Sequence, residues 1–227
     1  MPSPLALALP FTGRWLVQNS PARRVPSHGV DVLGQRYAID FVAVDARGRT
    51  SATRDWRTAL ATEPPERFVG FGMPILAPAA GTVVATHDGE PDHEARRSQP
   101  ALLAYAMGQA GRLRAGVAAV AGNHVIVRDD ASGMFVAVVH LRRGSVRVEV
   151  GEMVAVGEQM AQCGNSGNST EPHVHVQAMD SADLRVARGV PIAFTAYRQW
   201  GRDGLRDVGL GIPDETAIVA PLPASDP

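Results

Sequence analysis

The sequence predicts a mainly β protein, an antiparallel sandwich or barrel-like groove carrying a helical or loop insertion. Two observations lead there. From Asn123 onward the chain runs as short valine-rich segments separated by Gly and Ser-Gly turns. Regularly spaced short strands of this kind build antiparallel sheets. Earlier, Gly34–Asp45 is a β-branched and aromatic run bounded by turn formers, which reads as another strand. Hydrophobic residues make up 45% and charged residues 20% of the 227 positions, enough apolar material to bury a core.

Taken in order, residues 1–27 are proline-rich and contain one edge-strand candidate, RWLVQ. After the Gly34–Asp45 strand, residues 46–70 are charged and irregular, with a short helix expected near Asp55–Ala61. Pro74–Gly89 reads as a strand punctuated by Pro and Gly. Residues 90–121 are alanine-rich, and Leu103, Met107 and Ala110 fall at helical spacing, a packing stripe rather than a cofactor site. The strand-turn rhythm then runs through NHVIVRDD, MFVAVVHLRR, SVRVEVGEMVAVGEQMAQCG and PHVHVQAM. GVPIAFTAYRQW is read as one edge segment and IVAPLPASDP as a loose terminus. The expected organisation is an N-terminal segment (1–27), a domain over 28–198 interrupted at about 46–70 and 90–121, and a tail over 199–227.

The totals exclude several function classes. A formal net charge of -1 gives no general electrostatic grip on nucleic acid or anionic lipid. No stretch approaches the length of a membrane span. The start, MPSPLALALPFTGRW, has no basic leader and no clear cleavage site, so it makes a poor signal peptide. All 22 cationic residues are arginine, which reads as compositional bias rather than a dedicated anion site. The single cysteine, Cys163, allows no internal disulfide and reads as a small apolar filler.

The histidines carry the chemistry. Side chains on a strand alternate faces. In PHVHVQ this puts His173 and His175 on one side and Val174 and Val176 on the other. By the same rule His140, at the polar end of FVAVVHLRR, shares a face with Val138 and Val136. If the two strands are neighbours, three imidazoles converge. His93 reads as solvated, His124 as structural, and His87 has no assigned partner.

The run VVHLRRGSVRVEVGEMVAVGEQMAQCGNSGNSTEPHVHVQ resembles the signature of the LytM/lysostaphin-type metallopeptidases, peptidase family M23, over about forty residues in glycine and histidine order. FGMPILAPAAGTVVA and YAIDF extend the resemblance over most of Gly34–Gln177. It implies a groove of the duplicated hybrid motif type and one zinc ion, with Asp40 and His175 as ligands and His140 and His173 as catalytic histidines. The family usually carries a third ligand, histidine, four residues before the aspartate. Here that position is Arg36, whose guanidinium cannot ligate zinc. The first ligand is therefore assigned to His28, the one histidine upstream of Asp40, with Asp31 as a competing oxygen ligand.

Two histidines and a carboxylate leave zinc a fourth position for water. The resemblance thus implies a zinc endopeptidase acting on peptidoglycan-type peptides, secreted or in the cell envelope, although the start of the chain also fits a cytoplasmic protein. One alternative is a catalytically inactive module of the same fold that binds or activates other wall hydrolases, a reading favoured by Arg36. Another is a sugar phosphotransfer domain, which also sets two histidines face to face but has no need of Asp40.

Overall fold

The computed structural model describes residues 3–98 and 117–223. Its strands are β1 (Leu5–Leu7), β2 (Trp15–Gln18), β3 (Ile39–Ala43), β4 (Pro74–Leu76), β5 (Gly81–His87), β6 (Asn123–Asp129) and β7 (Phe135–Leu141). There follow β8 (Met153–Val154), β9 (Gln159–Gln162), β10 (Val174–Met179), β11 (Gly189–Val190), β12 (Ile192–Gly201), β13 (Gly204–Gly211) and β14 (Ile218–Pro221). Among the described residues, two short α-helices, α1 (Trp56–Leu60) and α2 (Val117–Ala121), lie between strands. Twelve strands form one sheet in the order β1-β12-β14-β2-β3-β10-β7-β6-β5-β8, with β11 added on β10 and β13 on β12. The pair β1–β12 is parallel. The two remaining strands, β4 and β9, pair antiparallel in a small second sheet.

The mainly β expectation is met, and the valine rhythm explains it. Along β10, Val174, Val176 and Ala178 point into the main core; along β7, Val136 and Val138 do the same, as do Ile39 and Phe41 of β3. They meet Ile75 of β4 and Met160 of β9. Burying side chains of this size is worth about 1.5–3 kcal/mol each, so the alternation that selects this face also fixes the register. The opposite face of the same strands carries Asp40, Val139, His175 and Gln177, and it holds the candidate site.

Several elements differ from expectation. RWLVQ is not at an edge: β2 lies between β14 and β3. The supposed loose terminus contributes β14, paired with both β2 and β12. GVPIAFTAYRQW supplies the ten-residue β12, which pairs with β1, β13 and β14. The pairs β2–β14 and β1–β12 join segments about 200 residues apart, and local composition does not encode such partners. Pro74–Gly89 divides into β4 and β5, which belong to different sheets.

The helix expected near Asp55–Ala61 is α1, started by a capping box in which the Asp55 carboxylate accepts from backbone and Thr58 returns a bond to the cap. Within 90–121, the described part ends in α2; the Leu103, Met107 and Ala110 stripe lies outside the described residues. The 46–70 segment is tied to the start of the second insertion by buried Glu63, which accepts two bonds from Arg97, both at 2.9 Å. Among the described residues no helix is long and apolar enough to cross a membrane.

Candidate metal centre

Adjacent strands β3 and β10 set Asp40 directly opposite His175. Both side chains leave the core face, and His175 Nδ1 lies 2.9 Å from Asp40 Oδ1. The third member comes from the loop between β2 and β3: His28 Nε2 lies 3.0 Å from Asp40 Oδ2. The three ligand atoms all fall within 4.8 Å of one another. Asp31 stands outside this group, paired with the Arg36 guanidinium.

The surrounding bonds decide which nitrogens face inward. His175 Nε2 lies 2.9 Å from Gln177 Oε1, an oxygen that can only accept, so Nε2 carries a proton; Nδ1 is the nitrogen that faces Asp40, whose Oδ1 accepts from it, and a metal bound there would take the place of that proton. His28 Nδ1 lies 3.0 Å from Ser27 Oγ, whose own hydroxyl can donate to Gln35 O. Asn19 Nδ2 donates to Asp40 Oδ2 at 2.7 Å. Burial alone would raise the Asp40 carboxyl, but the nearby His28 and His173 and the bonds from His175 and His28 hold it well below the usual carboxylate range. Two imidazoles and an ionised carboxylate, oriented by outer hydrogen bonds, form a donor set suited to a tetrahedral divalent ion such as zinc.

His140 and His173 line the same cavity. Their ring centroids are 4.7 Å apart, and that of His140 is 5.9 Å from His175. His140 does not reach this place by simple alternation. A register shift against β6 makes it an extra residue, with φ 62, and turns its side chain away from the Val138 face. Its Nδ1 donates to Ser166 O at 2.9 Å, which leaves Nε2 free. Burial, reinforced by His173 and His175, pushes its pKa well below the ordinary value, so the ring is neutral at pH 7. His173 Nδ1 lies 2.8 Å from Glu171 O and 2.9 Å from Ser169 Oγ. The carbonyl again requires a proton on Nδ1.

The loop that carries these carbonyls is fastened from several sides. Gly167, at φ 68, passes so close to Gly122 that an added Cβ would lie 2.4 Å from its nitrogen. Asn168 N donates to Val120 O, and Asn123 N to Ser166 Oγ. Asp92 accepts from Asn165 N and Arg143 N. His93, expected to be solvated, is half-buried and bonds Gly167 O at 2.8 Å. His124 is buried, with Nδ1 on Gly122 O. His87 stacks on it at 5.7 Å. Cys163 is buried, and burial raises its thiol far above the range of a nucleophile.

Sequence reasoning missed Gln177, Asn19, Ser27 and Ser166. Gln177 had a signal, because it lies two residues beyond His175 on one strand face. The others sit in loops or turns with no periodic pattern.

A family model described as Peptidase family M23 matches residues 68–187. Among solved structures, the chain is similar to the catalytic domain of lysostaphin from Staphylococcus simulans, at 16% identity, covering 78% of this chain and 88% of that one, with a TM-score of 0.40. It is similar to the catalytic domain of the prophage-encoded M23 protein EnpA from Enterococcus faecalis, at 17% identity, 84% and 91% coverage, and a TM-score of 0.40. It is also similar to a zinc-containing peptidase from Vibrio cholerae, at 16% identity, 67% and 45% coverage, and a TM-score of 0.34.

Proposed function

This chain belongs to peptidase family M23, and we propose that it is a zinc-dependent endopeptidase whose metal is held by His28, Asp40 and His175. The observation that carries this reading is the convergence of those three side chains, their ligand atoms within 4.8 Å of one another. When bound there, zinc supplies Lewis acidity and lowers the pKa of water from about 15.7 towards about 7.

The chain's own residues do the rest. His140, neutral and with Nε2 free, takes the proton from the attacking water and returns it to the leaving amine. His173, its Nδ1 proton held by Glu171 O, turns Nε2 towards the same space, 3.8 Å from Asp40 Oδ1. When protonated there, it donates to the oxygen on which charge develops as the carbonyl becomes tetrahedral. Asp40 keeps its charge because the imidazoles and Asn19 surround it. Arg36, the departure that favours an inactive module, pairs with Asp31, while His28 supplies the imidazole at Asp40. A peptide of the bacterial wall remains the proposed substrate, and the cell envelope or exterior the proposed location, both on the strength of the motif.

Metal analysis of the wild type beside His28→Ala and Asp40→Ala, with peptide hydrolysis followed in parallel, tests the reading. About one zinc per wild-type chain, little in His28→Ala and none in Asp40→Ala is expected. Wild-type protein that hydrolyses peptide after complete zinc removal would sink it.

A further inference from the structure

The cavity around the candidate metal group has two unlike walls. The central strands run in the order β2-β3-β10-β7. At the β2 end the lining is polar, with Gln18, Asn19, Thr170 and Glu171. At the β7 end it is mainly aliphatic, with Leu33, Val120, Ala121, Val139 and Leu184, the polar Asn168 and Gln177 being bonded to the Val120 and Leu33 carbonyls. Ala121, Val139 and Leu184 belong to a second apolar cluster, separate from the main core, and Leu33 packs against it. That cluster therefore opens onto the site rather than closing on itself.

Leu33 is the telling member. Val32–Gln35 forms a turn closed by Gln35 N donating to Val32 O at 3.1 Å. Its two central residues both have positive φ, 55 at Leu33 and 75 at Gly34. This is the type I′ pattern, whose central positions favour Asn, Asp and Gly. Gly34 has a packing reason, since a Cβ there would lie 2.6 Å from Met179 Cγ. Leucine at position 33 gains nothing from the turn and is held in a conformation that L side chains rarely adopt. Its carbonyl is fixed by Gln177 Nε2 at 2.8 Å, the same side chain that orients His175. A strained apolar residue, anchored through the partner of a metal-site histidine and facing the cavity, is accounted for by what it touches there.

We propose that this cavity selects peptides with a compact aliphatic side chain at one position flanking the scissile bond, seated on Leu33, Val120, Val139 and Leu184, over peptides with glycine at that position. The inference rests on the peptidase reading above. The test uses peptide pairs that differ only in valine or glycine at either flanking position. With zinc-loaded full chain, kcat/KM for the valine peptide is expected to exceed that for glycine by at least about tenfold at one of the two positions. Leu33→Asn keeps a residue suited to the turn, and Val120→Ala keeps the helix; each should cut that ratio to about threefold or less.

The same pairs are titrated into zinc-stripped protein by methyl NMR, where no cleavage intervenes. Preferential binding of the valine peptide without hydrolysis supports the subsite while removing the proposed chemistry. Hydrolysis with equal kcat/KM for both peptides, a ratio unchanged in both variants, or no binding of either peptide overturns the subsite.

Discussion

His175 and His28 reach the same carboxylate from opposite kinds of structure, the first through Nδ1 and the second through Nε2. His175 sits inside β10, flanked by β3 and β7, with Asp40 across one ladder and Val139 across the other. His28 sits in a loop held by the turn at Val32–Gln35, by the backbone bond from Ser27 N to Arg36 O and by a few side-chain bonds. Their side chains are 7% and 17% exposed, so water can approach one position and scarcely the other. A ligand on a strand is aimed by the whole sheet; a ligand on a loop is aimed by its immediate neighbours. The consequences of losing each should differ accordingly.

The largest effect is expected at the strand. His175→Ala removes a proposed zinc ligand and leaves Gln177 Oε1 and one Asp40 oxygen buried without their partner, a loss water cannot easily repair. Zinc content and activity should both fall below detection. In His28→Ala, water can enter from the exposed side, so zinc binding should persist in a weakened form in a direct titration. Equal loss in the two variants would remove the distinction between strand and loop ligands. His140→Ala comes next: it should retain zinc, because His140 is not in the candidate ligand group, and lose about 10²–10⁴ in kcat, the range for a lost general base. Zinc loss in that variant would place His140 among the ligands instead.

The outer partners sharpen the comparison. Gln177→Ala should weaken zinc affinity by about 10–100-fold, because it frees the His175 ring and also releases the Leu33 carbonyl. Ser27→Ala should cost less, since His28 has an exposed side from which water can replace the hydroxyl. Competition against a chromophoric chelator measures both, and a larger effect at Ser27 would reverse the argument.

The same contrast governs what could be read from the sequence. Alternation on β10 separates His173 and His175 from Val174 and Val176, because strand geometry is periodic and the core selects one face. His28 has no such pattern, and only the motif resemblance and the lack of another upstream histidine pointed to it. Alternation misplaced His140, since a bulge at the end of β7 reverses the face and nothing local announces it. Asn19 was invisible because its partner Asp40 is brought near only in the folded chain, and Ser27, although next to His28 in sequence, lies in a loop with no periodic pattern to mark it. The strands β2 and β14 were misjudged for a related reason: each takes its place from the other, about 200 positions away in the chain.

The smallest expected effect concerns pH and lies away from the ligands. Burial pushes the pKa values of His93 and His124 below the ordinary 6.5, helped by the nearby Arg96 and His87 respectively. Unfolding returns both rings to water, so between the folded and unfolded values the unfolded chain binds more protons. Stability therefore rises with pH through that window; it is fully present above about 6.5 and is lost as pH falls below it. Each kcal/mol lost should lower Tm by about 2–4 °C for a chain of this size. Zinc-free protein should thus melt a few degrees lower at pH 5.5 than at pH 7.5, and His124→Gln should flatten part of that slope without altering zinc content at pH 7.5. An unchanged slope in His124→Gln would mean that the ring is solvated, and the Gly122 carbonyl it bonds would then need another partner.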